Sequence, residues 1–268
     1  MAIPNAPAVV GILDSADLSD DRCASCLDPV ELEESFAIRH AQRRAEWLAG
    51  RIAAKYIFLE GQGSGTLADS AELRLQQITS GALAKFSSEA YRDVIVAKDK
   101  SPAGGPARIG WRWSGERVRT AISHVNGTAC AFIGGTENYA VDLEAPSRRI
   151  PAFYSHNFTP RERSWTGDCA RSFNLDSDWL YTLLWSAKEC LLKTPAFATL
   201  SLWNMSSIEI NILAGSERLK AVHQATALSA NLEFLRVETL LGLGPATHFR
   251  LAVGGTAKLI LAAIKTLN

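Results

Sequence analysis

The stretch VRTAISHVNGTACAFIGG, residues 118–135, contains the clearest secondary-structure signal in the chain. Two runs of apolar and β-branched residues are separated by Asn126-Gly127, a pair typical of the two-residue turn in a β-hairpin. The run NYAVDLEAP, residues 138–146, predicts a third strand soon afterwards. Strands linked by such short connections pair antiparallel, so this part of the chain predicts a sheet built from hairpins.

Helical patterns surround these strands. Apolar residues recur three or four positions apart between 31 and 60 and again between 179 and 193, which predicts a long helical region and a shorter helix. The segment 146–178 is expected to be loop-rich with short helical pieces, and Gly61 to Gly65 to form a flexible turn. Helices interleaved with hairpin-linked strands predict an α+β fold with largely antiparallel sheets.

Strand candidates also lie towards both ends of the chain. AVVGIL comes near the start, and SSIEINIL, LEFLRVETLL and HFRLAVGG come near the end. The last segment, AKLILAAIKTLN, has an ambiguous periodicity and is compatible with a helix or a strand.

The composition is that of a globular protein. The chain has 268 residues, 47% of them hydrophobic, and its 28 lysines and arginines balance 28 acids. A neutral total gives no support for a nucleic-acid or membrane-surface partner. No run of about 18 apolar residues predicts a membrane span, and the first residues lack the pattern of a signal peptide. We therefore expect a cytoplasmic protein without nucleic-acid or membrane partners.

Five cysteines are scattered along the chain. Cys23 and Cys26 form a CxxC pair, but no second pair or nearby histidine completes the ligands of a structural zinc site. Reduced, partly buried thiols are therefore the preferred interpretation.

Two acids lie two positions apart in the predicted third strand. Because side chains alternate along a strand, Asp142 and Glu144 share one face while Val141 and Leu143 share the other. At ~3.3 Å rise per residue the two acids lie about 7 Å apart along the strand, and acids that close repel unless a cation or solvent intervenes. A half-exposed strand with a polar outer face also explains this motif taken alone.

The helix predicted around WSAKECLLK carries a third acid. Trp185, Glu189 and Lys193 are spaced by four and share a face that the leucines do not use. A solvated Glu–Lys pair is the simplest explanation, but a large indole on that face indicates a crevice. If the helix packs beside the strand, Glu189 joins Asp142 and Glu144 in a hard oxygen site suited to Mg²⁺.

Three basic residues are candidates for phosphate binding. His124 lies near the end of a predicted strand, a place that fits either role, although a lone histidine is more often structural than functional. Arg44 and Arg51 are seven positions apart in the long helical region and therefore share a face. Arginine clusters bind phosphate in a fixed fork geometry, although a solvated face paired with Glu46 explains them as well.

Four motifs together resemble the 4′-phosphopantetheinyl transferases. RRAEWLAGRIAAK, ISHVNG, AVDLE and WSAKECLLK follow one another in the order and approximate spacing of that family. They look most like the monomeric type that activates carrier proteins of peptide, polyketide and siderophore synthesis. The family signature is a Gly-Val/Ile-Asp-x-Glu strand followed later by Trp-x-x-Lys-Glu-x-x-x-Lys. The resemblance covers roughly residues 38–193.

The resemblance implies a fold and an activity. The fold would consist of two similar α+β halves related by a pseudo-two-fold axis: residues 1–138, and residues 139–268 with the magnesium-binding acids. The family binds coenzyme A at the junction of its halves. With Mg²⁺, it transfers the 4′-phosphopantetheine arm to a serine of an apo acyl or peptidyl carrier protein and releases 3′,5′-ADP.

Roles at the reacting centre carry over residue by residue. The resemblance implies that Asp142, Glu144 and Glu189 hold Mg²⁺ on the pyrophosphate. Glu189, directly or through a water molecule on the ion, would accept the proton of the carrier serine. Lys193 would stabilise the leaving phosphate.

Roles in binding coenzyme A carry over in the same way. His124 and either Arg44 or Arg51 would hold the 3′-phosphate, and Lys188 and Lys193 would lie beside the phosphates.

The sequence departs from the family at three places. Ala140 stands where the family has a glycine before the first acid, and Val125 replaces the serine after Ser-His. The family's Gly-Lys-Pro loop has no clean counterpart, since DKSPAGGP offers Lys98, Lys100 and Pro102. Which lysine of that loop meets a phosphate is therefore left open.

Acidic carrier proteins are the expected partners, and an electropositive rim would speed their docking. Arg148, Arg149, Arg161 and Arg163 flank the strand and the segment FTPRERSW, which we expect to be a loop that receives the carrier. Other interpretations are a non-catalytic relative that binds coenzyme A or carriers, another magnesium-dependent phosphate enzyme, or an α+β protein with surface acids. The three intact acids favour the transferase.

Overall fold

The computed structural model describes residues 9–63, 74–98, 107–133, 139–194, 205–206, 208–212, 216–224, 233–241, 247–256 and 258–266. The chain divides into two compact units, Met1–Glu137 and Asn138–Asn268. Each unit combines helices with its own largely antiparallel sheet, which agrees with the predicted α+β class. No helix in the described ranges is both long and apolar enough to cross a membrane.

The N-terminal unit begins with a strand and three helices. Its elements are β1 (Val9–Asp14), a short 3-10 helix (Ser15–Asp17), α1 (Asp20–Cys26), α2 (Pro29–Phe36), α3 (Ala41–Gly63), β2 (Arg74–Ile78), α4 (Ser80–Leu83), α5 (Ser88–Asp93), β3 (Val94–Lys98), β4 (Ala107–Trp111), β5 (Val118–Val125) and β6 (Thr128–Ile133). The sheet order is β2-β1-β6-β5-β4-β3, with β1 and β2 parallel and the other described pairs antiparallel.

The predicted hairpin is confirmed. β5 and β6 pair antiparallel, and Asn126 and Gly127 have φ angles of 49° and 84°. Positive φ at both central residues is what the favoured two-residue hairpin turn requires, and Asn-Gly tolerates it best. The turn places His124 at the end of β5, opposite Ala129.

Helix α3 packs closely on this sheet because glycines allow it. A Cβ added at Gly11 of β1 would come within 2.7 Å of the Ile57 side chain, and one added at Gly50 within 2.5 Å of Ile122. The helical region expected over 31–60 is in fact two helices, α2 and α3. Helix α3 continues to Gly63, so a turn beginning at Gly61 was wrong; residues 64–65 lie outside the described ranges.

The C-terminal unit repeats a similar order of elements. They are β7 (Tyr139–Glu144), α6 (Pro151–Asn157), α7 (Pro160–Phe173), α8 (Ser177–Leu192), β8 (Ile208–Ile212), α9 (Ser216–Gln224), β9 (Glu233–Leu241), β10 (Thr247–Thr256) and β11 (Leu259–Thr266). The sheet order is β7-β11-β10-β9-β8, and all these pairs are antiparallel. The ambiguous final segment is therefore a strand.

Two expectations for residues 146–178 are corrected. The segment is mostly helical, and FTPRERSW is the start of α7 rather than a loop. Thr159 and Glu162 form a capping box around Pro160, and this combination starts helices. Phe158 is 1% exposed, so the residue before the cap belongs to the core.

The first strand of each unit pairs antiparallel with the last, and three helices follow that first strand. Each unit also buries one lysine–glutamate pair at a helix start. Lys55 donates to Glu31 at 2.5 Å, and Lys188 donates to Glu162 at 2.7 Å. Both glutamates are the third residue of a helix with a capping box, and both accept a backbone N–H from a strand.

Candidate functional site

Three carboxylates meet where β7 and α8 pack together. Asp142 and Glu144 project from β7, an edge strand of its sheet, and Glu189 projects from α8. One oxygen from each lies within 4.8 Å of the others. Helix α8 is held against the sheet by fully buried residues, among them Leu183, Leu184 and Ala187. The structure thus brings together the three acids named as magnesium ligands; we call them the acid cluster.

Asp142 is the most enclosed member of the acid cluster, with 1% of its surface exposed. Its Oδ1 accepts a hydrogen bond from Lys193 Nζ at 2.5 Å, and its Oδ2 accepts one from Ser186 Oγ at 2.7 Å. Lys193 Nζ also lies 3.7 Å from Glu189 Oε2. Its side chain is 34% exposed, so the cation lies at the outer edge of the cluster.

The acids perturb one another's protonation. Burial, then the charges of Asp142 and Glu189, raise the pKa of Glu144 to about 7. Burial and the neighbouring Asp142 also raise the pKa of Glu189, against the opposing effects of Lys193 and of a hydrogen bond from Trp185. Burial alone would lower the pKa of Lys193, but Asp142 outweighs it and raises that pKa. Negative charge is therefore in excess here.

This donor set fits a divalent cation such as Mg²⁺. Carboxylate oxygens are the ligands that hard cations prefer, and three of them lie close enough together to bind the same ion. Three ionised carboxylates with one ammonium leave a formal charge of −2, which one divalent ion would balance. Among the described residues, no other group of three or more histidine, cysteine or acidic side chains could hold a metal.

Trp185 joins the acid cluster to an aromatic cavity. Its indole hydrogen-bonds Glu189 one turn further along α8, and its ring lies 5.0 Å from that of Phe153. This shallow depression is lined by Trp185, Phe153, Tyr154, Tyr181 and Arg149, together with two small polar residues. The indole of Trp185 therefore borders a crevice, whereas Glu189 and Lys193 do not line it.

His124 has a carboxylate partner in the N-terminal unit. Its Nδ1 lies 3.2 Å from Glu46 Oε2, and its side chain is 30% exposed. Glu46 Oε1 also accepts the Gly127 N–H at 2.8 Å and the Gln42 amide at 3.0 Å. Burial would raise the pKa of Glu46, but these hydrogen bonds and His124 outweigh it and lower that pKa. The ring is thus held through Nδ1.

The two arginines expected at the 3′-phosphate differ in availability. Arg44 is half-buried on α3. Arg51 is 5% exposed, lies 3.1 Å from Glu34 Oε2, and stacks over the Trp47 ring at 3.4 Å from its centroid. Since Arg51 already has an acid and an aromatic partner, Arg44 is the better placed of the two for a phosphate.

Lys188 does not take the role expected of it. Its side chain is fully buried, and its ammonium donates to Glu162 Oε2, Asn157 O and Met205 O at 2.7, 2.8 and 2.9 Å. All three N–H donors of a lysine are thereby used within the unit. The expectation that Lys188 lies beside the coenzyme A phosphates is therefore wrong.

Of the four arginines expected to form the rim that receives the carrier, two are exposed and two bond to groups of their own unit. Arg148 and Arg149 are exposed, whereas Arg161 pairs with Glu209 and Arg163 donates to the Phe158 carbonyl. Of the alternative phosphate-binding loop, Lys100 and Pro102 lie outside the described residues, as does the side chain of Lys98.

Cys23 and Cys26 are both buried and form no disulfide. Burial raises the pKa of Cys23 to about 11 and also raises that of Cys26. The interpretation as reduced, buried thiols agrees with this.

Two contacts at these sites were not predicted. Ser186 hydrogen-bonds Asp142, and Glu46 holds His124 rather than an arginine. The first had a sequence signal, because residues 186, 189 and 193 follow the i, i+3, i+7 spacing of one helix face. The second had no such signal, since it links a helix to a distant hairpin.

Comparison with known proteins agrees with the position of the acid cluster. Residues 139–237 match the family model of the 4′-phosphopantetheinyl transferase superfamily (ACPS). The match includes β7 and α8, and with them all three acids and Lys193. It supports a transferase of this superfamily. A search of curated proteins finds no match to the chain.

Proposed function

We propose that the protein transfers the 4′-phosphopantetheine arm of coenzyme A to a serine of an apo carrier protein, with Mg²⁺ and release of 3′,5′-ADP. The observation that carries the proposal is the acid cluster with Lys193 at its edge, inside the segment that matches the transferase superfamily. A protein that only bound coenzyme A would not need three clustered and mutually repelling carboxylates, one of them buried.

The reaction replaces a phosphoanhydride bond of coenzyme A by a phosphoester bond to the carrier serine. The carrier serine oxygen forms a bond to the phosphorus that bears the pantetheine arm, and the bond from that phosphorus to the bridging oxygen breaks. The bridging oxygen leaves as the terminal phosphate oxygen of 3′,5′-ADP. The serine proton must go to a base. No electrons are exchanged with an oxidant or reductant.

Asp142, Glu144 and Glu189 would hold the ion. When bound, Mg²⁺ neutralises pyrophosphate charge and favours departure of the nucleotide. Glu189, directly or through a water molecule on the ion, would accept the serine proton. Lys193, at the exposed edge of the acid cluster, is the cation that stabilises the leaving phosphate.

For the 3′-phosphate we propose His124 and Arg44. Held by Glu46 at Nδ1, His124 in its doubly protonated form would donate from Nε2 to an anion. Arg44 is half-buried on α3. Arg51 is a weaker candidate because Glu34 and Trp47 already engage its guanidinium.

The carrier is proposed to dock on the exposed Arg148 and Arg149, beside the aromatic cavity. These guanidiniums suit a partner that is acidic around its serine. Arg161 and Arg163 contribute less because both are engaged within the unit.

Three further proposals rest on the sequence resemblance. The two units form a pseudo-two-fold pair, which their common strand order and their matching lysine–glutamate pairs support. The protein acts as a monomer in the cytoplasm. Its carriers belong to polyketide or nonribosomal peptide synthesis. Assays across several apo carriers would identify the class of carrier.

The test is a mass measurement. Coenzyme A, Mg²⁺ and an apo carrier are incubated with the protein, and the carrier should gain the mass of one phosphopantetheine arm. Glu189→Gln should fold normally and lose at least ~10²-fold in turnover, the scale for a positioned base. Glu89→Gln, at an exposed pair with Arg92, is the matched control and should react like the wild type.

Other outcomes identify the alternatives. Coenzyme A binding without transfer to any carrier indicates a non-catalytic relative. Release of 3′,5′-ADP in the absence of a carrier indicates a hydrolase. Near-normal turnover by Glu189→Gln removes its role as the base.

A further inference from the structure

Ser186 makes an unusual hydrogen bond for a helical serine. A serine or threonine inside a helix commonly bonds a carbonyl of its own helix one turn earlier. Thr182, on the same helix, does so with the Asp178 carbonyl at 2.7 Å. Ser186 instead reaches across to β7 and donates to Asp142 Oδ2 at 2.7 Å.

The contact is sealed from solvent. Ser186 is 0% exposed and Asp142 is 1% exposed. If the hydroxyl were removed, water could not readily take its place, and Asp142 Oδ2 would lose this donor. An unpaired oxygen on a buried carboxylate is costly, so it would turn towards another donor.

We expect the carboxylate of Asp142 to rotate in this way, because rotation about the last torsion of an aspartate side chain costs little energy. Rotation about the bond to a planar carboxylate has broad minima, unlike the other side-chain torsions. Lys193, bonded to Oδ1, holds the carboxylate through a long side chain that is itself 34% exposed. The rigid and buried Ser186 supplies the second point of attachment.

We infer that Ser186 is a positioning residue that fixes the carboxylate of Asp142 in the orientation needed to bind a divalent cation in the acid cluster. The inference rests on the proposed magnesium-dependent function and extends it to a residue outside the three proposed ligands. The same helix thus supplies one ligand, Glu189, and orients a second.

Manganese binding tests this directly. Purified full-length protein is titrated with Mn²⁺ with and without coenzyme A, and free Mn²⁺ is followed by electron paramagnetic resonance. Ser186→Ala should bind Mn²⁺ ~10–100-fold more weakly, the usual loss when a partner of a metal ligand is removed. Ser186→Thr, which keeps the hydroxyl, should bind close to the wild type.

Ser35→Ala is the matched control. Ser35 is also a buried helical serine, but it bonds its own helix at Leu32 O, in the N-terminal unit. It should leave Mn²⁺ affinity unchanged. Thermal unfolding without metal should show similar stability for both alanine variants, so that a difference in Mn²⁺ binding cannot come from unfolding.

Activity adds a readout that a purely structural role would not move. In Ser186→Ala the Mg²⁺ concentration for half-maximal rate should rise, while the Michaelis constant for the carrier stays constant. Mn²⁺ affinity equal to that of the wild type in folded Ser186→Ala overturns the inference, as does a wild type that binds no Mn²⁺. If Ser186→Thr does not fold because threonine is too large, the ratio of the Mn²⁺ affinities of Ser186→Ala and Ser35→Ala decides whether the inference holds.

The two proposals fail separately. If the wild type binds Mn²⁺ and Ser186→Ala weakens it, but no carrier is modified, the transferase proposal fails and the role of Ser186 stands. If carriers are modified and Ser186→Ala binds Mn²⁺ normally, the role of Ser186 fails and the transferase proposal stands.

Discussion

Replacing Lys188 by methionine should lower the free energy of unfolding by about 3–5 kcal/mol, the range for breaking a buried ion pair. The pair is Lys188–Glu162, with side chains 0% and 1% exposed and 2.7 Å between Nζ and Oε2. The motif pattern alone had placed this lysine at the phosphates, so the prediction separates a core role from a binding role.

The contacts around the ammonium set the magnitude. Its loss leaves the carbonyls of Asn157 and Met205 without this donor, at about 1–3 kcal/mol for each buried group left unpaired. Glu162 keeps backbone N–H donors from Thr159 and Ile210, both at 2.8 Å, which limits the cost. Methionine has a similar volume to the lysine stem, so a large cavity term is not expected.

The loss should depend on pH. Burial already raises the pKa of Glu162, against the opposing effect of Lys188, and removing that cation raises it further. A buried carboxyl with a raised pKa is destabilising only when ionised. The deficit of Lys188→Met should therefore be smallest near the ordinary carboxyl pKa, about 4.3, where only the two carbonyls lack their donor, and it should grow as the pH rises through the folded-state pKa of Glu162.

Urea unfolding at pH 5 and pH 8 measures both effects. Lys85→Met is the matched control, because Lys85 pairs with Glu60 at 2.5 Å but is 57% exposed, so its loss should cost at most ~1 kcal/mol. Lys55→Met should resemble Lys188→Met, since Lys55 is equally buried against Glu31. A Lys188→Met protein of normal stability with a raised Michaelis constant for coenzyme A would refute the core assignment.

Two predictions concern binding. Charge reversal at Arg148 and Arg149 should raise the Michaelis constant for the carrier and leave that for coenzyme A unchanged, measured by steady-state transfer; an unchanged carrier constant removes the docking proposal. Glu46→Gln, which keeps an oxygen for the Gly127 N–H, should raise the Michaelis constant for coenzyme A roughly tenfold, as expected for a lost charge-assisted hydrogen bond to His124. With dephospho-coenzyme A, which lacks the 3′-phosphate, the Michaelis constants of Glu46→Gln and the wild type should not differ. An equal rise in the Michaelis constant for dephospho-coenzyme A would contradict the proposal that His124 binds the 3′-phosphate.

Much of the local structure could be predicted from the sequence because it depends on neighbouring residues. Asn126-Gly127 fixed the hairpin through the φ angles it tolerates, and alternation placed Asp142 and Glu144 on one strand face. The leucine spacing predicted α8. Helix α7 also had a local signal, the capping box of Thr159 and Glu162, so its start was within reach of sequence reasoning although a loop was expected there.

Contacts between distant segments were decided only by the tertiary structure. Periodicity shows which side chains share a face, but not which neighbour covers that face. Lys188 and Lys193 are five residues apart in one short motif and lie on different faces of the helix, yet spacing does not show that Lys188 is sealed against Glu162 while Lys193 borders the acid cluster. The two lysines differ in how far they are removed from water. That difference depends on elements that are distant in the sequence and are brought together by packing. The hydrogen bond from Ser186 to Asp142 likewise depends on the packing of α8 against β7, which the sequence does not show.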